Sequence, residues 1–327
     1  MAETDFKDIP DKNGNPVLKP SKGAILSSDF SEYGPEGIRV TLPLGILDES
    51  GEPVRNAWLE PLTGNDEAML SSITSSLTLP EWISSFINHK ISLKGKPSNK
   101  GIASGLSVAD RDMIILYLRM LTFGPEIWGI TYCPYQGCSS KMDFSFDLST
   151  LKVPPVKGSG NTHSASIDYR SERIAFTYRE PIGADQEAIA ALIHINPNEA
   201  LLGLLSRCLI QVEGLSDVSM DTLSKLPQDL LLKMDAIIAE EMTSFDWDID
   251  LICPECQRGF SATLDIQEFF WEEMGYSIGS LWEEVHEIAF YYHWSEEAIL
   301  SLRRWKRKMY INYIHHQLRN ISLNYLV

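Results

Sequence analysis

Alternating apolar and polar side chains predict two strands near the start of the chain, over residues 38–47 and 54–59, joined by a hairpin turn at residues 48–51. Residues 1–35 differ, because they are rich in proline and glycine and their apolar side chains follow no regular spacing. We therefore expect an extended arm over residues 1–35, ordered by contact with a neighbouring molecule.

Helical spacing of apolar side chains begins near Asp66, and a second short helix follows Pro80. Residues 94–105 are rich in glycine, lysine and serine and predict a loop. Ser107 then opens a longer helix, with Asp110 at the spacing of a capping box. This helix ends at a Gly-Pro pair, shortly before the first of two cysteine-containing segments.

Further along, residues 164–169 and 174–178 predict a second strand pair joined by a tight turn. Asn196, which is followed by a proline, has the position of a helix N-cap. The helices expected in this region cover residues 185–193, 197–209 and 222–242, the last of them broken near Pro227.

From residue 268 the sequence predicts an almost wholly helical region that is unusually aromatic. One amphipathic stripe is formed by Leu281, Val285, Ile288, Ala289 and Tyr292. Ser295 is placed to cap a following short helix, and the last helix, over residues 303–318, alternates basic and aromatic positions. We expect this tail to dock on another protein rather than to catalyse a reaction.

The composition and charge of the chain bear on membrane insertion, localisation and nucleic-acid binding. The chain has 327 residues, 44% of them hydrophobic, and no apolar run approaches the roughly 18 residues that a membrane span needs. Its N-terminus is acidic and polar, so we expect a soluble protein made in a cytosol. A formal net charge of -17 argues against nucleic-acid binding. The basic run over residues 303–308 is an exception, interpreted as a solvated helix face, a docking surface for an acidic protein, or an RNA contact.

Two tight cysteine pairs carry the most specific chemical signal in the sequence. The first pair, Cys133 and Cys138, and the second pair, Cys253 and Cys256, each lie in a turn between two predicted strands. These strands cover residues 128–132, 142–146, 245–252 and 260–266. Thiolates on such turns supply the four ligands of structural zinc, and backbone amides after the first cysteine of a pair point back at its sulfur.

We predict one structural zinc ion bound by these four cysteines, with no open position for a substrate. A proline after each first cysteine, together with Gly137 and Gly259, suits two tight turns. Rubredoxin-like iron in the same cage and a disulfide within each pair are the alternatives. A redox role is disfavoured because a thioredoxin-type pair starts a helix, whereas Cys256 leads into a strand.

The remaining candidate residues carry weaker signals. Cys208, the fifth cysteine, is interpreted as a small buried core residue. No set of carboxylates completes a metal motif around the paired histidines, His286 with His293 and His315 with His316. We interpret Asp246, Asp248 and Asp250 as a solvated strand edge. A calcium site and a contact with a basic partner are the alternatives. The sequence contains no phosphate-binding loop, nucleophile elbow or zinc-protease helix, so we predict that the protein is not an enzyme.

These patterns together predict an α+β protein whose zinc-ribbon-like β-hairpins are clamped by the four-cysteine site, with a helical insertion and a helical C-terminal region. The predicted domains are an arm at residues 1–35, an α+β domain at 36–267 with its insertion at about 180–243, and a docking region at 268–327. The metal ion is expected to fasten the fold by closing a long loop between the two turns.

Several segments of the chain also carry a family resemblance. They are residues 106–124, 144–148, 183–187, 205–208 and 284–296, together with Cys133-Pro134, Cys138 and Cys253-Pro254-Glu255-Cys256. These segments resemble the T4-type baseplate hub or hub-assembly-chaperone family, the zinc-containing baseplate proteins of phage contractile tails and extracellular contractile injection systems. The resemblance covers residues 36–312, and the cysteine pairs are its most specific part.

The resemblance implies a structural component of a contractile-tail baseplate or hub, in a virion or injection particle assembled in the bacterial cytoplasm. The implied partners are other baseplate, hub, tube or spike proteins, with no nucleic acid and no membrane. A chaperone that assembles the hub and then leaves is the alternative within the family. A zinc-ribbon enzyme or nucleic-acid-binding accessory factor is a third hypothesis, which the net charge of -17 disfavours.

Overall fold

The computed structural model describes residues 24–25, 37–47, 51–73, 77–93, 101–148, 152–153, 162–170, 172–243, 245 and 247–324. The predicted arm over residues 1–35 lies outside these described residues, apart from the short strand Ala24–Ile25. The turn predicted at residues 48–51 also lies outside them, apart from Gly51.

Helices and small antiparallel sheets make up the described residues, which confirms the predicted α+β class. The strands are β1 (Ala24–Ile25), β2 (Ile38–Leu47), β3 (Pro53–Leu59), β4 (Ile91–Leu93), β5 (Glu126–Tyr132), β6 (Lys141–Asp147), β7 (Lys152–Val153), β8 (Thr162–Tyr169), β9 (Glu172–Arg179), β10 (Leu209–Val212), β11 (Trp247–Ile252) and β12 (Gly259–Leu264). The helices are α1 (Gly64–Ile73), α2 (Leu79–Lys90), α3 (Ile102–Gly105), α4 (Val108–Phe123), α5 (Gly183–Ile189), α6 (Pro197–Cys208), α7 (Met220–Leu223), α8 (Gln228–Glu241), α9 (Ile266–Tyr292), α10 (Glu296–Leu300) and α11 (Arg304–Asn324). Within the described ranges, no helix combines the length and apolarity that crossing a membrane requires.

The chain divides into two compact units, and the smaller one, here called the hairpin unit, contains Met1–Glu32, Phe123–Pro155 and Phe245–Asp265. Its main elements are two antiparallel hairpins, β5-β6 and β11-β12. Buried and exposed side chains alternate along β11, as expected for a strand with one covered face. Both hairpins lie where the sequence predicts them, and each ends in a turn that carries one cysteine pair.

The larger unit, here called the helical unit, contains Tyr33–Thr122, Val156–Ser244 and Ile266–Val327. It holds two three-stranded antiparallel sheets, with the orders β2-β3-β4 and β10-β9-β8. Helices α6 and α8 pack on the second sheet, with an apolar core that includes Tyr178, Leu205, Leu230 and Met234. Cys208 at the end of α6 is 1% exposed, in agreement with its predicted place in a core. Burial raises the pKa of the Cys208 thiol to about 12.

The start of α4 is fixed to β2 by the carboxylate of Asp110. The register of β2 against β3 shifts in the middle of the strand, and two of its N–H groups, those of Leu44 and Gly45, donate to Asp110 at 2.9 Å each. Only one of the two hydrogen bonds of the predicted capping box is therefore present. The Ser107 hydroxyl accepts the Asp110 N–H at 3.1 Å, but the carboxylate of Asp110 satisfies buried backbone donors of β2.

Helices α9, α10 and α11 pack together through the apolar stripe that the sequence predicts. The core between them is formed by Leu281, Val285, Ile288, Ile299, Ile311 and Ile314. The predicted cap of α10 is present, because the Ser295 hydroxyl accepts the N–H of Ala298 at 3.2 Å. These contacts define how the C-terminal helices fold on one another.

The basic run over residues 303–308 is not simply the solvated helix face that the sequence suggests. Arg307 is fully buried and donates to Glu67 at 2.6 Å and to Glu284 at 2.9 Å. Arg304 also donates to Glu67, at 3.2 Å. A buried guanidinium keeps its charge, so it is stable only where carboxylates face it. Part of the basic run is therefore neutralised inside the helical unit, which corrects the predicted solvated face.

Short elements and one helix end also differ from the predictions. Strands β4 and β10 and helix α3 are missed because three or four residues are too few to show a period. The loop predicted at residues 94–105 is accordingly wrong over Ile102–Gly105, which forms α3. The helix predicted over residues 185–193 ends at Ile189 and continues as hydrogen-bonded turns. Ile193 is 45% exposed, so the apolar side chains beyond Ile189 do not mark a buried helical face.

The substitution Glu67→Ala is expected to lower the free energy of unfolding by about 3 kcal/mol, because it removes one of the carboxylates that face the buried Arg307. The control is Lys225→Ala, which breaks a 2.6 Å pair with Asp221 whose side chains are 69% and 82% exposed. That change is expected to cost less than about 1 kcal/mol. Urea unfolding of both variants measures the difference, and equal effects would contradict the structural role of the buried pair.

Candidate metal centre

Cys133 and Cys253 directly follow β5 and β11, where the two hairpins turn. Their N–H groups donate across the hairpins, Cys133 to the carbonyl of Ser140 at 2.9 Å and Cys253 to the carbonyl of Arg258 at 3.1 Å. Each first cysteine is thus held by a continuation of the strand ladder, and the second cysteine of the pair follows within the turn.

Both turns reverse through a residue with positive φ that directly follows the second cysteine. Ser139 has a φ of 47° and Gln257 a φ of 58°, in the left-handed region that tight reversals use. Gly137 adds a φ of 84° in the longer turn, as its predicted role requires. The predicted role of Gly259 is wrong, because the shorter turn reverses at Gln257 and Gly259 is already the first residue of β12.

The four cysteine sulfur atoms all lie within 4.8 Å of one another. Distances of 3.7 Å join the two turns, from Cys133 Sγ to Cys256 Sγ and from Cys138 Sγ to Cys253 Sγ. A tetrahedral ion with metal–sulfur bonds of about 2.3 Å places its sulfur ligands about 3.8 Å apart. The four sulfurs can therefore hold one metal ion. All five cysteines are free thiols, so the alternative of a disulfide within each pair does not describe the structure.

Hydrogen-bond donors surround the sulfur atoms, as the chemistry of thiolate ligands requires. Backbone N–H groups two residues further along the chain donate to three sulfurs, from Tyr135 to Cys133, from Ser140 to Cys138 and from Arg258 to Cys256. The side chain of Arg258 also bonds to the Cys256 sulfur and lowers the pKa of that thiol to about 6. Burial instead raises the pKa of Cys133 to about 12.

Tyr135 and Arg258 connect the two turns beside the sulfur atoms. The Arg258 guanidinium lies 4.0 Å from the centroid of the Tyr135 ring, and the Tyr135 hydroxyl donates to the carbonyl of Gly259 at 2.5 Å. With a metal ion bound, the positive charge of Arg258 would offset part of the negative charge of the four thiolate ligands. Neither residue is predicted from the sequence, although each stands two positions after a cysteine, where its backbone N–H reaches sulfur.

The other candidate residues form no comparable cluster in the part of the chain that the structure describes, where only the four cysteines gather as potential metal ligands. Asp248 and Asp250 lie on the exposed side of β11, in agreement with a solvated edge, and Asp246 lies outside the described residues. Among the histidines, His315 Nε2 lies 2.8 Å from a carboxylate oxygen of Glu287, a single pair rather than a metal site.

The chain was compared with protein families, curated proteins and solved structures. Residues 54–271 match the family described as T4 bacteriophage base plate protein. No curated protein and no solved structure matches the chain. The matched segment contains both cysteine pairs and covers more than half of the 327 residues. The chain therefore belongs to the T4 bacteriophage base plate protein family.

Proposed function

We propose that this protein is a structural component at or near the hub of a contractile-tail baseplate, stabilised by zinc, that joins neighbouring baseplate subunits. The observation that carries the proposal is the family match over residues 54–271, which spans both cysteine pairs. Membership of a baseplate family supports a structural role in a particle, with other baseplate proteins as partners.

Zinc is the metal that we assign to the four-cysteine centre. Four thiolates complete a tetrahedral shell and leave no vacant position, so zinc there stabilises the fold and activates no water. Cys138 and Cys253 are separated by 115 positions in the chain, and a shared ion closes that long loop. Cys253 and Cys133 are 0% and 3% exposed, so the protein shields this side of the site from solvent.

The hairpin β5-β6 supplies a surface for contact with a neighbouring subunit. Its outer side carries Trp128, Ile130 and Tyr132, which are 69%, 58% and 62% exposed. They alternate along β5 and therefore share one face of the hairpin. A row of three large exposed apolar side chains is typical of an interaction site. We assign this face to contact with another baseplate protein.

The arm at residues 1–35 and the helical region at residues 268–327 are the other proposed docking elements. The proposal for the arm rests on its composition alone. The helical region exposes large aromatic side chains, with Tyr276 at 86%, Phe290 at 66% and Trp305 at 54%. Exposed aromatic side chains of this size are enriched at protein interfaces.

A structural component stays in the finished particle, so quantitative mass spectrometry of purified intact particles is expected to detect this chain in a fixed ratio to the other baseplate proteins. Particle-free lysate from the same cells serves as the control for loosely bound protein. Absence from particles that contain the remaining baseplate proteins would instead identify an assembly chaperone that leaves the complex.

Elemental analysis of the purified chain is expected to find about one zinc ion per chain. The substitution Cys253→Ser should abolish zinc binding and lower the midpoint of thermal unfolding, because it removes a ligand at a fully buried position. Cys208→Ala, which removes the cysteine outside the cluster, should leave the zinc content unchanged. Stoichiometric iron would establish the rubredoxin-like alternative, and a metal-free folded chain would refute the metal centre.

The substitution Arg258→Ala is expected to weaken zinc binding by roughly 10–100-fold, because the guanidinium bonds to the Cys256 sulfur and offsets charge in the cluster. Competition with a chromogenic chelator measures the affinity. Arg173→Ala, which removes an exposed arginine bonded to Ser166, provides a matched loss of positive charge far from the thiols in sequence. Equal affinities of the two variants would remove Arg258 from the metal centre.

A further inference from the structure

A groove in the helical unit runs along one edge of the sheet β10-β9-β8. Strand β8 is the outer strand of that sheet, and residues 163–166 of β8 form one wall of the groove. The other wall is formed by Ile237, Glu240 and Glu241 of α8. The volume of the groove is about 790 Å³, within the roughly 300–1,000 Å³ of ligand-binding clefts. Neither the metal centre nor the proposed docking faces include these residues.

The backbone of β8 directs hydrogen-bonding groups into this groove. In β9, the Ala175 N–H donates to the Glu213 carboxylate at 3.2 Å and its C=O accepts the Glu213 N–H at 2.8 Å, on the side away from β8. These groups alternate in direction along a strand, so the next residue of β9 faces β8 and pairs there with Ala165. The N–H and C=O groups of Ser164 and Ser166 therefore point away from β9. Among the described residues, no strand pairs with this edge.

Strand β8 lacks the features that usually protect the edge of a sheet. It pairs with β9 over eight residues without a register shift, and residues 162–169 contain no proline and no lysine. The small side chains of Ser164 and Ser166 leave the edge accessible from the groove. An edge of this kind can accept an extended segment of another chain as a further strand.

The helical wall of the groove is negatively charged. Glu240 and Glu241 are exposed in the last turn of α8, where the helix dipole adds partial negative charge. The buried carboxylate of Glu180 lies 3.3 Å from His163 Nε2 and has no lysine or arginine partner among the described residues. Burial, together with the carboxylates of Glu241 and Glu180, raises the pKa of the Tyr178 hydroxyl. This end of the groove therefore favours a cation.

We propose that the groove binds an extended segment of a neighbouring protein, added antiparallel to β8, in which an apolar residue is followed two positions later by lysine or arginine. The apolar side chain lies beside Ala165, which packs on the same apolar core as Ile237. The basic side chain lies beside His163, where it faces the carboxylates of α8. The inference rests on the proposed role in joining neighbouring subunits, for which it names the chemistry of one partner segment.

The two faces of the edge differ in charge, which fixes the position of the basic residue. Arg173 donates to the Ser166 hydroxyl at 3.0 Å. Arg173 pairs with Asp168, so its side chain lies on the face of the sheet opposite to Ala165 and α8. A basic residue of the added strand is therefore favoured on the α8 side and disfavoured on the other.

Fluorescence anisotropy of labelled pentapeptides with the full-length chain tests the charge preference. The peptide Thr-Val-Thr-Arg-Thr should bind at least about tenfold more tightly than Thr-Val-Thr-Glu-Thr. Combining Glu240→Gln with Glu241→Gln should remove most of this difference, because it neutralises the helical wall. The matched control combines Glu272→Gln with Glu283→Gln, which neutralises two exposed glutamates of α9 and should leave the preference unchanged.

N-methylated peptides test strand addition itself. Methylation of the central threonine nitrogen removes the N–H that faces β8 opposite Ser164 and should weaken binding at least about tenfold. Methylation of the valine nitrogen is the matched control, because that N–H faces solvent. Ser164→Pro should also weaken binding, since it removes a donor from the free edge and leaves the hydrogen bonds between β8 and β9 in place. Its thermal unfolding midpoint shows whether this variant is folded.

Equal affinity for the arginine and glutamate peptides, or no binding of the arginine peptide at millimolar concentration, would overturn the proposal. Equal losses from the two methylated peptides would overturn strand addition. Every measurement uses the isolated chain, so absence of the chain from particles would refute the proposed baseplate role and leave the ligand chemistry of the groove intact. A chain that is present in particles but binds no peptide would do the reverse.

Discussion

The four cysteine sulfur atoms of the two hairpin turns lie within 4.8 Å of one another. The packing of the two hairpins in the hairpin unit depends on this cluster. A two-stranded hairpin is marginally stable in water, and neither β5-β6 nor β11-β12 has a third strand among the described residues. Loop closure between turns 115 positions apart opposes their association. A metal ion bound by the four cysteines, as proposed above, would offset that entropy. The contact of Arg258 with the Tyr135 ring, 4.0 Å away, adds a direct link between the turns.

The helical unit is ordered by buried charge as well as by apolar packing. Arg307 between Glu67 and Glu284 ties α11 to α1 and α9, and the carboxylate of Asp110 ties α4 to β2. Such groups are tolerated inside a protein only when their partners are in place, so they favour one arrangement of the elements. Large aromatic side chains of this unit, such as Trp305, remain on the surface instead. This distribution suits a protein whose exposed faces are covered by neighbours in an assembly.

The clustering of the four cysteines is the part of the structure that the sequence predicts best. Two short turns that each carry a cysteine pair are typical of a shared metal site. Long elements such as α4 and α9 are predicted for a similar reason, since many turns repeat the same spacing. Spacing does not reveal which partner a polar side chain will find. Asp110 therefore has the correct capping position but bonds to β2, and Arg307 is buried although it belongs to a basic run.

X-ray absorption spectroscopy at the zinc edge of the purified chain tests most directly the claim that one ion joins the two turns. The structure predicts four sulfur neighbours at about 2.3 Å and no nitrogen or oxygen ligand. A first shell with fewer sulfurs, completed by nitrogen or oxygen, would contradict a closed four-cysteine centre and the proposal that the ion holds the two hairpins together.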